Sequence, residues 1–482
     1  MNLAELCRGA GIYCPEAMAD VEICSVTSNS ERVQKGSLFV CLRGQNTDGN
    51  LYAARARARG AAAVLSDSDP GAELHSQDAH LSLALLCREF YKPKLGGLGL
   101  VGITGTNGKT SVTAMVRAIL TAASVPCASI GTLGCIFPDG SITEDGSHMT
   151  TPDTEVLYSA LASVAERGAK YAVCEVSSHA LAQKRVDGLR FDVGIFTNVT
   201  RDHLDFHKTE EEYFLAKKRL LGLSDRVLVN GDDTRLAAMG GVLQCSCHRK
   251  ADFMATEVEL YGERGCGYRF LSEKSSFTVM SPIPGRFNVM NTLEAAACAE
   301  LLGIDPCFIK QGLATMRAVS GRMERVELEG ADFSVYIDYA HTPDAMEKLL
   351  LTAKGLSRGR VVVLFGCGGD RDRGKRAKMA KSATRLADLT VMTSDNSRGE
   401  LPSQIFSDMI SGVDASGRYV LIPDRLQAIS YAVSQMRGGE VLILAGKGHE
   451  KYEIDAGGIH PFDEAEAVRQ AYKSLIQKQK RR

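Results

Sequence analysis

The sequence has no surplus of either charge, no closely spaced cysteine pair of the CxxC type, no apolar run that could cross a bilayer and no internal repeat. Lys plus Arg number 57 and Asp plus Glu 58, a formal net charge of −1. A chain so balanced offers no overall field for wrapping nucleic acid or an anionic membrane, and neither is expected as a partner. The fourteen cysteines are scattered from Cys7 to Cys367. A zinc ribbon or a disulfide framework would demand CxxC-type spacing, so reduced thiols in a cytoplasmic protein are the expectation. The start, MNLAELCRGAGIYC, lacks a basic segment followed by an apolar one, so no signal peptide is expected. No stretch approaches the ~20 apolar residues of a membrane span. What remains is ordinary globular material, 44% hydrophobic and 24% charged. Its 482 residues leave room for roughly three domains.

Apolar strands alternating with amphipathic helices dominate two stretches. The first begins with LGLVGI at Leu98 and continues through YAVCEV (171–176), VGIFTNV (193–199) and RVLVN (226–230). The second runs through FSVYID, RVVVLFG (360–366), LTVMTS (389–394), YVLIPD (419–424) and EVLILAG (440–446). Short buried strands separated by helices such as DAMEKLLLTAKGL predict doubly wound parallel sheets. Residues 1–97 carry shorter strands, SLFVCL and AAAVLS, and read as a small separate α/β domain. Boundaries are expected in the glycine-rich PKLGGLG near 97 and at Gly321 in AVSGRMERV. The expected division is therefore 1–97, 98–320 and 321–482: a small α/β domain, a central phosphate-loop domain and a C-terminal Rossmann-like domain. The basic tail KQKRR reads as a solvated helix end.

The segment TGTNGKT joins a strand to the helix SVTAMVRAILTAA, the order a nucleotide-phosphate site requires. Gly105 and Gly108 let backbone N–H groups face an anion, and the helix N-terminus adds its dipole. Lys109 would reach the β- and γ-phosphates, and Thr110 or Ser111 would offer a hydroxyl to Mg²⁺. The strict GxxxxGK[ST] pattern is broken by Ile103 at the first glycine position. These residues alone imply an ATP- or GTP-binding enzyme and leave its reaction open. Downstream, Glu175 ends a strand, followed by Ser177, Ser178 and His179. The next strand delivers Asp202, His203, Asp205 and His207 to the same sheet edge, where open α/β sheets collect ligands. Glu175, His203 and Thr110 are expected around Mg²⁺. Lys217, in YFLAKKRLL, is by spacing alone a surface lysine.

Taken together, GTNGKT, EVSSH, TNVTRDHLDFH, PGRFNVMNTLEAAA, SGRMERV, DYAHTPDA, GCGGDRDRGKR, SDNSRGE and AGKGHE resemble the Mur ligases. These enzymes build the peptide stem of bacterial cell-wall precursors, and the nine motifs stand in the family's order. The set is most similar to the ligases that add the third amino acid. The resemblance implies a UDP-binding N-terminal domain, a central ATPase and a Rossmann-like C-terminal domain in a monomeric cytoplasmic enzyme. It places ATP on Gly105, Thr106, Asn107, Gly108, Lys109, Thr110 and Ser111, with Asn291, Arg322 and Asp338 completing the nucleotide site. It places Mg²⁺ near Thr110, Glu175, His203 and Lys217, the last as an N6-carboxylysine, with Lys109, Lys217 and His203 the catalytic residues. The UDP-linked substrate would meet Ser28, Ser30, Gln45, Asn46 and Thr47. Its peptide end would meet Thr150, Thr151, Ser177, Gln183 and Arg185. Asn29 and Glu31 flank Ser30 where the family has Asp and Arg.

The chemistry implied is ATP-driven peptide-bond formation through an acyl phosphate on UDP-N-acetylmuramoyl-L-alanyl-D-glutamate. The family's Asp-Asn-Pro-Arg segment marks enzymes that add meso-diaminopimelate. Here Asp395, Asn396, Ser397 and Arg398 occupy it, with Arg371, Gly446 and Glu450 at the other matching positions. A guanidinium can clamp the second carboxylate of diaminopimelate with two charge-assisted bonds, and Glu450 suits the distal ammonium. In an alternative role Arg398 would pair with Glu400. Meso-diaminopimelate is the expected substrate. Lysine or ornithine addition, a folylpolyglutamate synthetase-like ligase, a small-molecule kinase and a non-enzymatic nucleotide-binding regulator are the competing readings.

Overall fold

The computed structural model describes residues 1–44, 47–143 and 149–480, the last two by backbone alone. The chain forms three α/β domains in sequence. The first is built on a four-stranded parallel sheet containing Ser37–Val40 and Ala61–Ser66. Helix Ala79–Leu95 leads out of it to Gly96 and Gly97, the latter at φ +83.

The central sheet has eleven strands. At its heart strand Gly99–Thr104 lies between Tyr171–Glu175 and Phe191–Phe196, all parallel. Leu100, Val101 and Ile103 are buried, as expected of a strand covered on both faces. Helix Lys109–Ala122 places Val112, Met115, Val116, Ile119 and Leu120 on one side, the i, i+3, i+4 repeat of a buried face. That face packs with helix Arg286–Leu301 into the apolar core of this domain.

The expected parallel core is extended at its edges by antiparallel strands. Strands Phe253–Leu260, Cys266–Leu271 and Ser276–Ser281 form an antiparallel meander on one side, and Gly134–Ile136 and Ile142–Thr143 fold back on the other. Tight connections, such as the turn at Gly262–Arg264, allow hairpins that a helical crossover would not.

The C-terminal sheet has six strands, five of them parallel, with Ser334–Asp338, Val441–Ala445 and Val361–Phe365 at its centre. Gly321 enters this domain at φ +67. A Cβ there would lie 2.1 Å from the His449 nitrogen, so only glycine lets the linker pass so close. No described helix is long and apolar enough to cross a membrane.

Candidate active site

The phosphate loop follows the central strand and requires both of its glycines. Gly105 has φ +154, and a Cβ on it would come 1.9 Å from Thr197 Oγ1. Gly108 has φ +91, and a Cβ would come 2.8 Å from Asn291 Oδ1. The loop is braced from below. Asn107 N donates to Asn198 Oδ1 at 2.9 Å, Thr197 Oγ1 donates to the Asn107 carbonyl at 2.6 Å, and Thr106 Oγ1 donates to the Thr200 carbonyl at 3.0 Å. Lys109 Nζ folds over the loop, 2.9 Å from the Gly105 carbonyl and 3.2 Å from that of Thr106. Burial lowers its pKa.

Thr110, on the first turn of the following helix, donates to Glu175 Oε2 at 2.9 Å. Glu175 is 2% exposed and also accepts from Thr132 N at 2.9 Å and Thr132 Oγ1 at 3.1 Å. From the C-terminal domain, Arg322 Nη2 donates to Thr110 Oγ1 at 3.2 Å while its guanidinium lies 4.6 Å from the centre of the Tyr339 ring. These groups line one cavity of about 760 Å³ between the central and C-terminal domains, with Ser111, Asn291 and Asp338 in its wall. The Asp338 carboxylate is engaged by the backbone, accepting from Met323 N and Ala340 N at 2.8 Å each.

His203 also lines the cavity, at φ +53, a strained value for a residue with a Cβ. Its Nε2 lies 3.3 Å from Asp202 Oδ2. Asp202 in turn meets His341 Nε2 at 3.5 Å and Lys375 Nζ at 3.6 Å, both from the C-terminal domain. Burial opposes ionisation of Asp202, yet these basic neighbours outweigh it and hold the carboxyl well below its usual range.

Lys217 is not a surface residue. It is 1% exposed, one layer behind the cavity, with Nζ 2.8 Å from the Gly105 carbonyl and 4.6 Å from the centre of the Tyr213 ring. Burial, helped by the charge of Lys109, pushes its ammonium well below the normal lysine pKa. Among the described residues, no group of three or more His, Cys, Asp or Glu is arranged to hold a metal ion.

The residues expected at the peptide end of the UDP-linked substrate form one hydrogen-bonded cluster. Thr151 Oγ1 donates to the Glu175 carbonyl at 2.8 Å and accepts from Ser177 N at 2.9 Å. Arg185 Nη1 donates to the Thr151 carbonyl at 2.8 Å, and its Nη2 donates to Gln183 Oε1 at 2.7 Å. Thr150 Oγ1 accepts from Thr132 Oγ1 at 3.3 Å.

In the N-terminal domain, Ser28 is engaged by a residue the sequence reading did not single out. Its N and Oγ both donate to Glu155 Oε1 at 2.9 Å, and Thr27 Oγ1 does so at 3.2 Å. Glu155 lies in the first turn of helix Thr154–Glu166, where an acid reads simply as a partner for the helix dipole. Ser30 begins a short 3₁₀ turn and Thr47 is exposed. Gln45 and Asn46 lie outside the described residues.

At the far end, Asn396 organises the expected amino-acid pocket. Its Nδ2 donates to Glu450 Oε2 at 2.8 Å, while its Oδ1 accepts from Lys447 Nζ at 3.1 Å and from Ile454 N at 3.0 Å. Lys447 is fully buried, and its Nζ lies 3.8 Å from Asp395 Oδ1. Burial and the charge of Asp395 raise Glu450 to about 7. A Cβ on Gly446 would lie 2.8 Å from Asp395 Oδ2.

Arg398 does not pair with Glu400. Glu400 is bound by both terminal nitrogens of Arg376, at 2.6 and 2.7 Å. Arg398 Nη1 instead donates to the carbonyls of Gly369 and Asn396, at 3.0 and 3.2 Å. Arg371 donates to the Asp370 carbonyl, and burial, followed by the charge of Arg371, lowers the pKa of Arg398.

Known proteins carry the same organisation. The model of the Mur ligase family catalytic domain matches residues 22–84, that of the Mur ligase middle domain 103–299, and that of the Mur ligase glutamate ligase domain 321–448. A UDP-N-acetylmuramoyl-L-alanyl-D-glutamate--2,6-diaminopimelate ligase of Bacillus licheniformis is 40% identical over 476 residues, covering 95% of this chain and 96% of its own. The ligase of the same name from Geobacter metallireducens is 40% identical over 518 residues, covering 99% of each chain. A solved structure of such a ligase superposes with a TM-score of 0.70 at 31% identity, over 99% of this chain and 100% of its own. A folylpolyglutamate synthase from Mycobacterium tuberculosis, at 17% identity and a TM-score of 0.59, covers 75% of this chain and 91% of its own and shares the fold alone. With the family's domains matched in order and relatives aligned end to end, the chain belongs to the Mur ligase family.

Proposed function

We infer that this ATP-dependent ligase joins meso-diaminopimelate to the D-glutamate γ-carboxylate of UDP-N-acetylmuramoyl-L-alanyl-D-glutamate, a step in building peptidoglycan precursors. A carboxylate does not yield to an amine directly, because oxide cannot leave. Transfer of the γ-phosphoryl group gives an acyl phosphate and ADP. The incoming amine then forms a tetrahedral intermediate that expels phosphate and leaves the amide. The observation that carries the ligase reading is the reach of Arg322 across the domain boundary to Thr110, which joins both halves of the chain in one cavity.

Lys109 would place a point charge against the β- and γ-phosphates, and Arg322 a second one from the opposite domain. The oxygens of Thr110 and Glu175 and the imidazole of His203 suit Mg²⁺, a hard cation that keeps waters and phosphate oxygens among its ligands and needs no dense protein cage. When bound, Mg²⁺ would neutralise charge on the transferring phosphoryl group. Lys217 has the environment of a neutral amine, which can add to CO₂ and release one proton to become an anionic carbamate.

For the amino acid, Arg398 supports diaminopimelate. Its structural partners are backbone carbonyls, and the carboxylate nearest in sequence is committed to Arg376. A carboxylate on the incoming amino acid would give the half-buried guanidinium a direct ionic partner, whereas lysine would leave it with its backbone carbonyls alone. Thr150, Thr151, Ser177, Gln183 and Arg185 would hold the dipeptide, and the Ser28 region the UDP. ATP and UDP-linked substrates support a cytoplasmic setting.

The test is to incubate the protein with the UDP-dipeptide, ATP, Mg²⁺ and each of diaminopimelate, lysine and ornithine. One amide per ADP with diaminopimelate is expected, and Arg398→Ala should erase the preference over lysine. ADP formed without amide would favour a kinase, and faster reaction with lysine or ornithine would overturn the amino-acid reading.

A further inference from the structure

One interdomain contact belongs to none of the groups assigned above. Arg201 and Asp202 follow the central strand Phe191–Phe196 and precede His203. Arg201 reaches Asp372 of the C-terminal domain, Nε to Oδ2 at 3.3 Å and Nη2 to Oδ1 at 3.5 Å. Asp202 reaches Lys375 at 3.6 Å. The two pairs run in opposite charge senses, cation to anion and anion to cation, so the matching is specific to one register. The side chains of Asp202, Asp372 and Lys375 are 3%, 8% and 8% exposed, and only Arg201, at 31%, reaches partly into solvent. Asp372 also accepts from Gly374 N at 2.8 Å, and a Cβ on Gly374 would lie 2.6 Å from Arg201 Nη2. The guanidinium therefore lies against the start of helix Gly374–Leu386. Immediately before these anchors stands Arg371, proposed above for the amino-acid pocket.

We propose that Arg201 and Asp202 are positioning residues for the amine-transfer half of the reaction, clasping the 370–373 loop and the start of the helix that follows it so that the amino acid meets the acyl phosphate before water does. This rests on the ligase reading above. The acyl phosphate, R–CO–OPO₃²⁻, has two fates. With an amine R′NH₂ it gives R–CO–NHR′ and HPO₄²⁻, one amine proton passing to phosphate. With water it gives R–COO⁻, HPO₄²⁻ and H⁺, and the ATP is wasted. Arg201 touches none of Lys109, Thr110 or Glu175, so loosening it leaves phosphoryl transfer in place and exposes the intermediate.

The experiment counts phosphate and amide in one reaction while diaminopimelate is varied. Arg201 is the residue to change, because Asp202 also touches His203. The wild type releases one phosphate per amide. In Arg201→Glu the KM for diaminopimelate should rise about tenfold or more, as small misplacements cost at least that much. Its phosphate-to-amide ratio should exceed one, with KM for ATP unchanged. Arg201→Lys should recover coupling, and so should Asp372→Arg placed on Arg201→Glu. If melting shows Arg201→Glu unfolded, Arg201→Gln carries the same comparison. Tight coupling and an unaltered amino-acid KM in a folded variant would overturn the clasp, as would a parallel rise in KM for ATP. A wild type that makes no amide at all would instead overturn the ligase reading, and the clasp's role with it.

Discussion

Glu294 lies on helix Arg286–Leu301, within the apolar core of the central domain, and is 0% exposed. Among the described residues, neither of its carboxyl oxygens has a hydrogen-bond partner. Burial raises its pKa well above the usual 4.5, so the folded protein keeps it protonated under conditions where the unfolded chain releases the proton. The sign follows directly: the folded state binds more protons, so this group's contribution to stability falls as pH climbs from about 4.5 towards the folded pKa. A polar group buried without a partner costs about 1–3 kcal/mol. Glu294→Met keeps the volume close and removes that cost, so it should stabilise the domain by ~1–3 kcal/mol. For a unit of this size each kcal/mol moves Tm by roughly 2–4 °C. Glu294→Gln keeps the polar cost but cannot titrate. Thermal melts of the three proteins at pH 5.5, 7 and 8.5 separate these effects. The Tm of Glu294→Met should exceed that of the wild type, by more as pH rises, while Glu294→Gln should lose part of the wild-type pH slope. Parallel slopes for wild type and Glu294→Gln, or a less stable Glu294→Met, would refute the reasoning.

The remaining predictions concern activity. Lys109→Ala should abolish ATP turnover while leaving Tm almost unchanged, because it removes a charge and little packing; normal turnover in a folded variant would sink the phosphate-loop assignment. Lys217→Ala should be nearly inactive and partly rescued by acetate, and mass spectrometry of native protein kept in bicarbonate should show the carbamate; an active enzyme with unmodified Lys217 would refute it. Glu450, raised to about 7 by burial and Asp395, must ionise to hold a distal ammonium. The KM for diaminopimelate should therefore fall as pH rises through 7, and Glu450→Gln should flatten that profile.

The parallel core of both larger domains was legible because buried strands and amphipathic helices leave opposite periodicities in the sequence. The antiparallel edge strands were not. Phe253–Leu260 and Ser276–Ser281 carry mixed apolar and polar residues, and their pairing depends on turns rather than on a pattern of burial. The phosphate loop announced itself through glycines that local geometry demands. Lys217 did not: a helical lysine looks the same in sequence whether it faces solvent or the back of a phosphate loop. Glu155, Lys375 and His341 act across domain boundaries, between segments far apart in the chain, so no local spacing could mark them. Ser397, which stands in place of a rigid proline, left the hold on Arg398 open. The structure supplies other anchors: Arg398 N donates to the Ile454 carbonyl at 3.0 Å, and a Cβ on Gly369 would lie 1.9 Å from the Ser397 carbonyl oxygen.

The union of Arg376 with Glu400 has an evolutionary consequence. Arg376 is fully buried and also bonds Asp408, at 2.9 Å, and the Gly368 carbonyl, at 3.0 Å, so the architecture of this corner is secured without Arg398. If Arg398 selects the amino acid as proposed, structural duty and substrate choice are divided between two arginines. On that reading position 398 can drift towards another diamino acid while the corner stays folded, whereas a change at 376 removes the buried partner of Glu400 and Asp408 and leaves them only the exposed Arg373. Selection could then retune the amino acid that enters the cell wall through the first position at less structural cost than through the second.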